Sequence, residues 1–409
     1  MTPPAKLLRG AVAAAAVAIA AGCQERLTAP AQCPAQCPGS AEVFDTTLSA
    51  VPDADSSYQG YVEGGSGIAL LVSNGLPGIA DNLAVYRFGE RPDSIQAGGN
   101  TVAYVVDSAL ISINLLARDT LLNGLKVYVY RIANTVQAGV TFPEVEAQLV
   151  EANVIDSVLV ADTLSTGAVQ IVLRGAEVLK TGLPVDAGGT LAIGVAIAPA
   201  GTGIRIGSTG GGTGATFASY VTAQNVADTV SDRRQTLNRT PAFNTYVSET
   251  TLPPDPGLLT VGGAPSSRAL LRFDLPERLE DSSNIVRATL ELVPSGPIPG
   301  LATDPTLLLA KGVLGDLGAK SPTVEDSDPT FVGSDTLEPG LSDTVRVDVT
   351  NIVRLWQSAT TERPEAIFLK LLPEASTFMR PEFGSTRRPD IGVPRLRITY
   401  MLAFPFETP

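Results

Sequence analysis

Short apolar runs recur along most of this chain, and polar turn residues separate them. Runs such as Lys126-Val-Tyr-Val-Tyr-Arg-Ile132 and Ala288-Thr-Leu-Glu-Leu-Val293 alternate apolar and polar positions with a period of two. This period places successive side chains on opposite faces of a strand. Clusters of Gly, Pro, Asp, Ser and Thr between the runs are typical of tight turns. The pattern predicts an all-β chain whose antiparallel strands form jelly-roll-like β-sandwiches.

A helical pattern is scarce, and its best example lies late in the chain. Thr350 can cap a helix that extends to Gln357, because Ile352, Val353 and Trp356 would then share one face. Trp356 is the only tryptophan in the sequence. We expect it to close the open end of a sandwich, and stacking on a sugar at the surface is the alternative.

The same succession of runs occurs twice, although the spacing between matched runs varies. Insertions in surface loops account for the uneven spacing, and the shared order favours a duplication over a general likeness of sandwich strands. The matched segments are Val43–Leu48 with Ala242–Val247, Leu83–Phe88 with Ala269–Phe273, Ala109–Ile113 with Ala288–Leu292, Val169–Leu173 and the turn after it with Val345–Trp356, Ile206–Thr209 with Phe383–Thr386, and Tyr220 with Tyr400.

The first 23 residues have the layout of a secretory signal. Lys6 and Arg9 precede a run of Ala, Val and Ile that is too short to cross a bilayer, and the run ends in Ala-Ala-Gly before Cys23. Small residues before a cysteine resemble a bacterial lipobox, which implies cleavage after Gly22 and acylation of Cys23. An ordinary signal peptide with a chance cysteine is the alternative. Gln24 stands where an inner-membrane retention signal would place Asp, so the resemblance implies the outer membrane.

These observations divide the chain into five parts. We predict a lipoprotein signal peptide at residues 1–22 and a flexible tether rich in Pro, Ala and Gln at residues 23–41. A first β-sandwich then covers residues 42–223, a polar linker covers 224–239, and a second β-sandwich covers 240–409. The length of 409 residues suits two folded domains.

The second half contains motifs that are more specific than the strand pattern. They are, in order, Phe243–Val247, Arg268–Pro276, Ile285–Leu292, Val347–Gln357, Phe383–Ser385 and Pro394–Tyr400. This succession resembles the DNRLRE-type β-sandwich domains, which are related to carbohydrate-binding modules of bacterial and archaeal surface proteins. The resemblance implies the fold more strongly than any ligand. The first half departs from it, since it lacks the tryptophan and the Asp-Val-Thr triplet, and Gly207–Gly214 replaces an Arg- and Pro-rich segment.

Composition excludes several kinds of function. The net charge of −13 repels nucleic acid and anionic lipid headgroups. The chain contains no histidine, which removes Ser-His-Asp and Cys-His catalysis and the commonest ligand of zinc. No pair of carboxylates stands out as a glycosidase site. We therefore predict a protein that is not an enzyme and that has no cofactor.

Few residues suggest a binding site. Tyr128 and Tyr130 share one face of a strand about 7 Å apart, a spacing that suits an extended saccharide and equally a core pair. Gly207–Gly214 lacks the ending of a phosphate loop, and we expect a long, flexible strand connection there.

Cation and disulfide candidates are weaker. Asp53 and Asp55, and likewise Asp326 and Asp328, could supply carboxylates to calcium, but solvated turns are the favoured interpretation. Cys33 and Cys37 could close a small local disulfide in an oxidising compartment. We expect a lipid-anchored envelope protein that binds carbohydrate or another cell-surface polymer, and a passive structural or protein-interaction module is the alternative.

Overall fold

The computed structural model describes residues 42–402, except residues 63, 120, 250–254, 303, 326–329 and 358–362. The predicted signal peptide and tether, with Cys23, Cys33 and Cys37, lie outside the described residues. So do Asp326 and Asp328. Within the described part of the chain, no helix is long and apolar enough to span a membrane.

The fold is all-β, as the alternating pattern predicts, and its strands pair in antiparallel sheets. The strands are β1 (Val43–Ser49), β2 (Ser56–Gln59), β3 (Ala69–Asn74), β4 (Asn82–Phe88), β5 (Ile95–Ala97), β6 (Asn100–Val102), β7 (Tyr104–Arg118), β8 (Lys126–Ile132), β9 (Val154–Leu159), β10 (Gly167–Arg174), β11 (Ala192–Ala198), β12 (Thr202–Gly207), β13 (Thr216–Ala223), β14 (Arg234–Arg239), β15 (Pro241–Ser248), β16 (Leu258–Thr260), β17 (Ser267–Arg272), β18 (Ser283–Leu292), β19 (Thr306–Gly312), β20 (Val332–Leu337), β21 (Val345–Asp348), β22 (Ala366–Leu372), β23 (Glu382–Gly384) and β24 (Arg395–Leu402).

The helices are short. The α-helices are α1 (Phe142–Glu146), α2 (Glu277–Glu280) and α3 (Thr350–Gln357), and 3₁₀ turns cover Glu151–Asn153, Gly175–Thr181 and Gly318–Lys320. The helix predicted from Thr350 to Gln357 is confirmed as α3. Trp356 is 7% exposed and lies in the second core, 6.4 Å from the Phe273 ring, so its predicted burial is confirmed.

The two sandwiches have the same strand order. In the second, one sheet has the order β1-β24-β18-β21, the facing sheet has the order β2-β17-β22-β19-β20, and β16 pairs with β23. In the first, β14-β13-β7-β10 correspond to the four-stranded sheet and β15-β4-β11-β8-β9 to the five-stranded sheet. There β12 and β3, the counterparts of β23 and β16, also join the two layers into one eleven-stranded sheet.

The strand pairing does not follow the predicted domain boundaries. β1 pairs with β24 and β2 with β17, so residues 43–59 belong to the second sandwich. β14 and β15 pair with β13 and β4, so the predicted linker at 224–239 contains a strand of the first sandwich. The first sandwich therefore covers residues 69–248, and the second covers residues 258–402 together with 43–59. The prediction was wrong at both points, because a strand pattern shows that a segment is a strand but not which sheet it joins.

This pairing also corrects two of the matched segments. The edge strand β1 corresponds to β14, which precedes Ala242–Val247. Tyr220 is 41% exposed whereas Tyr400 is 6% exposed, so these two tyrosines face opposite ways and are not equivalent. The other matches fall on corresponding strands.

Each sandwich has its own core, and burial follows the period of two. In β10, for example, Val169, Ile171 and Leu173 are buried while the residues between them are exposed. The first core includes Phe88, Tyr104, Ile111, Val127, Val129 and Phe217, and the second includes Phe273, Leu290, Val347, Trp356, Leu369 and Ile398.

The two sandwiches meet across a buried junction. Phe378 and Leu301 lie in segments of the second sandwich but pack into the first core. Arg205 Nη2 lies 2.8 Å from Asp304 Oδ1, and Arg205 Nη1 donates to the backbone carbonyl of Ser376 at 3.1 Å. Burial raises the pKa of Asp304, although Arg205 opposes the shift. The junction therefore contains both apolar and ionic contacts.

The glycine-rich segment 207–214 connects β12 to β13. It packs against the backbone of residues 64–68, which we call the crossing segment because they lead from β2 of the second sandwich to β3 of the first. A Cβ at Gly211 would lie 2.3 Å from the carbonyl oxygen of Ile68, and one at Gly210 would lie 2.8 Å from that of Gly67. Close backbone approach, rather than a need for flexibility, accounts for these two glycines.

Candidate functional site

Tyr128 and Tyr130 share one face of β8, as their spacing predicts, and that face points away from the core. Val127 and Val129 point into the first core, whereas both tyrosines are half-buried. Their ring centroids are 6.2 Å apart with an interplanar angle of 26°. The Lys126 ammonium lies 4.8 Å from the centre of the Tyr128 ring. Lys126, Tyr128 and Tyr130 thus form a row of contacting side chains, which we call the tyrosine row.

Small residues flank the tyrosine row. Ala196 lies opposite Tyr128 and Gly194 opposite Tyr130 on β11, and Ser157 lies opposite Tyr128 on β9. Tyr130 lies opposite Val154 on β9, so the neighbours are short on both sides of Tyr128 but only on the β11 side of Tyr130. The ring faces are partly occupied by one another and by Lys126, and both tyrosines are partly exposed to solvent.

The capping segment, residues 133–153, covers the neighbouring part of the same face. Its residues Phe142 and Val145, in α1, pack with Val85 and Val247 of the sheet. A Cβ at Gly194 would lie 3.0 Å from Leu149 Cδ2, so the cap reaches the side of Tyr130. The tyrosine row consequently lies at the border between a covered and an open part of the sheet.

The hydroxyl group of Tyr130 remains protonated at neutral pH. Burial, aided by the neighbouring Tyr128, raises the pKa of Tyr130 above its usual value near 10. A neutral phenol can both donate and accept a hydrogen bond. The row therefore offers amphipathic edges and one cation.

Among its described residues, the second sandwich has no equivalent row. Pro199 follows β11, and Pro373 follows the equivalent strand β22, so the two prolines align these strands. Through the pairing of β11 with β8 and of β22 with β19, Tyr128 then corresponds to Leu309. Tyr130 aligns with Lys311, which lies opposite Phe368 rather than opposite a glycine. Any ligand of the tyrosine row would consequently be bound by the first sandwich alone.

Asp53 and Asp55, the cation candidates that the structure describes, contact an arginine instead. Asp55 is fully buried, and its two carboxylate oxygens accept hydrogen bonds from the backbone N and Oγ1 of Thr386, both at 2.7 Å. Arg387 Nη1 lies 3.4 Å from Asp55 Oδ1, and Arg387 Nε lies 3.5 Å from Asp53 Oδ1. Among the residues that the structure describes, no group of three or more His, Cys, Asp or Glu side chains could hold a metal ion.

An open cleft of about 620 Å³ lies at the start of α3, between Arg287 and Arg354. Asp348, which also lines it, accepts hydrogen bonds from the backbone N of Thr350 at 2.9 Å and from its Oγ1 at 2.7 Å. Asp348 therefore binds a backbone amide at the start of the helix. Its carboxylate is thereby occupied as a cap rather than presented to a ligand.

Sequence reasoning missed an acidic cluster beside α2. Burial, a hydrogen bond with Glu280 and the nearby charge of Asp274 raise the pKa of Glu365 to about 7. Glu365 Oε2 also accepts a hydrogen bond from the backbone N of Leu275. No sequence signal could have found this cluster, because Glu365 lies 85 positions after Glu280 (365 − 280) and only the fold brings them together.

Comparisons with known proteins add little. No protein family matches the chain, and no curated protein is similar to it. A solved structure with a weak likeness is the D431N mutant VP2 protein of infectious bursal disease virus, in derived T=1 particles. It is 12% identical, with 89% of this chain and 74% of that chain covered and a TM-score of 0.13. A TM-score this low carries no argument about fold or function.

Proposed function

We propose that this chain is a non-catalytic, lipid-anchored envelope protein that binds carbohydrate or another cell-surface polymer through the tyrosine row. The observation that carries the proposal is the pair of partly exposed tyrosines that lie opposite Gly194 and Ala196 on an outer sheet face. Tyrosine side chains offer apolar contact area to a sugar, and their hydroxyl groups can form hydrogen bonds with its hydroxyl groups.

The surroundings of the row favour a neutral or anionic polymer. Lys126 is the cation of the row, and Ser157 adds a hydroxyl group beside Tyr128. The chain as a whole is acidic, with a net charge of −13. The protein surface outside the tyrosine row would therefore repel strongly anionic polymers. We therefore expect uncharged polysaccharides to bind best.

The anchor is a part of the same proposal and rests on the sequence. The run ending in Ala-Ala-Gly-Cys23 resembles a lipobox, and Gln24 after it favours the outer membrane. An acylated terminus would hold the sandwiches beside the polymers of the envelope. More than one acyl chain gives firm anchoring, since each buried methylene contributes about 0.8 kcal/mol.

Affinity gel electrophoresis against a panel of soluble polysaccharides tests the binding role. The unaltered protein should be retarded by at least one polysaccharide, and a Tyr128→Ala, Tyr130→Ala double variant should lose that retardation. Tyr220→Ala is the matched control, because Tyr220 is an exposed tyrosine on β13, in the other layer of the same sandwich. Retardation that survives the double variant, or that Tyr220→Ala also abolishes, would contradict a site at the tyrosine row.

A passive structural module is the second candidate, and the buried junction favours it. Phe378, Leu301 and the Arg205–Asp304 ion pair hold the two sandwiches against each other, as a rigid spacer requires. Absence of any retardation across the whole panel, with the protein folded, would leave this function as the better proposal.

A further inference from the structure

Each sandwich binds its two-strand segment, β1–β2 or β14–β15, through a buried contact at the same place. In the second sandwich Thr386 donates from N and Oγ1 to the carboxylate of Asp55, both at 2.7 Å. In the first sandwich Thr209 donates from N at 2.8 Å and from Oγ1 at 2.5 Å to Asn244 Oδ1. Both threonines end a Gly-Ser-Thr segment that follows the equivalent strands β23 and β12. The two contacts are therefore copies of one contact.

The copies differ in their third partner. Asp55 has the guanidinium of Arg387 at 3.4 Å, and Arg387 Nη1 also donates to the backbone carbonyl of Asp55 at 2.8 Å. Asn244 instead uses its amide Nδ2 to donate to the carbonyl oxygen of Gly65 at 3.1 Å. Asp55 thus faces a cation in the second sandwich, whereas Asn244 faces a carbonyl oxygen in the first.

The residue after each threonine explains why the sites are not interchangeable. Arg387 follows Thr386, whereas Gly210 follows Thr209. A Cβ at Gly210 would lie 2.8 Å from a backbone oxygen of the crossing segment, so an arginine does not fit there. The first sandwich consequently has no cation at the position where the second has one.

We infer that these contacts determine which sandwich each two-strand segment joins. Aspartate at position 55 selects the second sandwich, and asparagine at position 244 selects the first. In the tandem arrangement predicted from the repeat, β1–β2 would complete the first sandwich. Asp55 would then be buried without Arg387, with one carboxylate oxygen where Asn244 Nδ2 now donates, and an unpaired buried charge strongly opposes folding.

Packing beside the contacts acts in the same direction. Phe44 of β1 stacks on Tyr400 of the second sandwich, with centroids 5.6 Å apart. Tyr246 of β15 is buried in the core of the first sandwich. Several residues therefore specify which sandwich each two-strand segment joins. Among them, Asp55 and Asn244 can be exchanged by isosteric substitutions.

The first test compares three variants of the full-length chain, purified in mild detergent, by their denaturant midpoints at pH 8. Asn244→Asp keeps the shape of the side chain and an acceptor for Thr209, but it introduces a carboxylate facing Gly65. Asn244→Ala removes every contact of the side chain. The inference predicts that Asn244→Asp unfolds at a lower denaturant concentration than Asn244→Ala, and that Asp55→Asn is milder than Asn244→Asp.

The second test follows the pairing itself by thiol cross-linking, with Cys33 and Cys37 replaced by serine. Thr47 lies opposite Arg397 in the present arrangement, and it would lie near Ala218 in the tandem arrangement. One variant therefore carries Thr47→Cys with Arg397→Cys, and the other carries Thr47→Cys with Ala218→Cys. The 47–397 pair should cross-link and the 47–218 pair should not. Adding Asp55→Asn with Asn244→Asp should reduce the 47–397 product at least tenfold after refolding.

Two results would overturn the inference. One is Asn244→Asp being as stable as the unaltered chain or more stable than Asn244→Ala, because a carboxylate would then be accepted in the first sandwich. The other is an unchanged yield of the 47–397 product in the Asp55→Asn, Asn244→Asp chain, because the exchanged residues would then have no influence on pairing.

Discussion

Phe378 offers a direct test of whether the two sandwiches unfold together. It belongs to a segment of the second sandwich, is 2% exposed, and packs into the first core. A Cβ at Gly203 of β12 would lie 3.3 Å from its ring, so the phenyl group fills the space above that glycine. Truncation of a buried phenylalanine to alanine costs about 3–5 kcal/mol of unfolding free energy. We expect Phe378→Ala to lose an amount within this range.

The assay uses Trp356 as a reporter of the second sandwich. Its fluorescence is followed in urea together with far-ultraviolet circular dichroism, which reports on all strands. Phe378→Ala should shift both transitions by the same amount, while Leu317→Ala, at a side chain that is 69% exposed, should change stability by less than about 0.5 kcal/mol. The reasoning is refuted if Phe378→Ala costs less than about 1 kcal/mol, or if the Trp356 transition stays in place while the dichroism transition moves.

Three further outcomes are expected. Cys23→Ala should abolish incorporation of labelled palmitate, and its uncleaved precursor should accumulate on a gel. Cys33→Ala is the control and should change neither palmitate labelling nor precursor cleavage. Equal labelling of the two variants would contradict acylation at Cys23. The pKa of Glu365 is raised to about 7 in the folded chain, above its ordinary value of 4.5, so folding is favoured by the protonated form and stability falls as the pH rises from below 4.5 through 7. The free energy of unfolding of Glu365→Gln, relative to that of the unaltered chain, should therefore increase by about 1–2 kcal/mol between pH 5 and pH 8. This range allows for solvent screening at a half-buried group. A difference in unfolding free energy that does not depend on pH would show that the pKa of Glu365 is not raised. Gly65→Ala should lower the free energy of unfolding in urea by about 1–3 kcal/mol, because its Cβ would lie 2.3 Å from the backbone oxygen of Asn244. Gly296→Ala is the control and should have no effect, because no atom lies within 4 Å of its Cβ. Similar urea midpoints for the two variants would refute the close approach at Gly65.

The sequence predicted strand content well, because one-sided burial imposes a period of two that a single chain displays. β8 and β10 show this most clearly, with buried and exposed positions that alternate as their sequences do. The amphipathic helix α3 was predictable for a related reason, since Ile352, Val353 and Trp356 mark one face. These are local properties of the chain.

Sheet membership was not predictable, because it depends on contacts between distant residues. Nothing in the sequence of β1 states that its partner is β24, which begins at Arg395, and the wrong match of Val43–Leu48 with Ala242–Val247 followed from comparing local patterns alone. The roles of Asp53 and Asp55 were missed for the same reason, since Arg387 lies far along the chain. The shared face of Tyr128 and Tyr130 was predictable, but Gly194 and Ala196 beside them were not.

The pairing of the first described strand with the last has a consequence for biosynthesis. Asp55 and its partner Thr386 are separated by 331 residues. A ribosome that adds about 5–20 residues per second needs roughly 15–65 seconds between them. During that interval the earliest strands are complete but have no sheet to join, and exposed strand edges of this kind promote aggregation. We therefore expect the leading segment to be prone to aggregation until the closing strand has been synthesised.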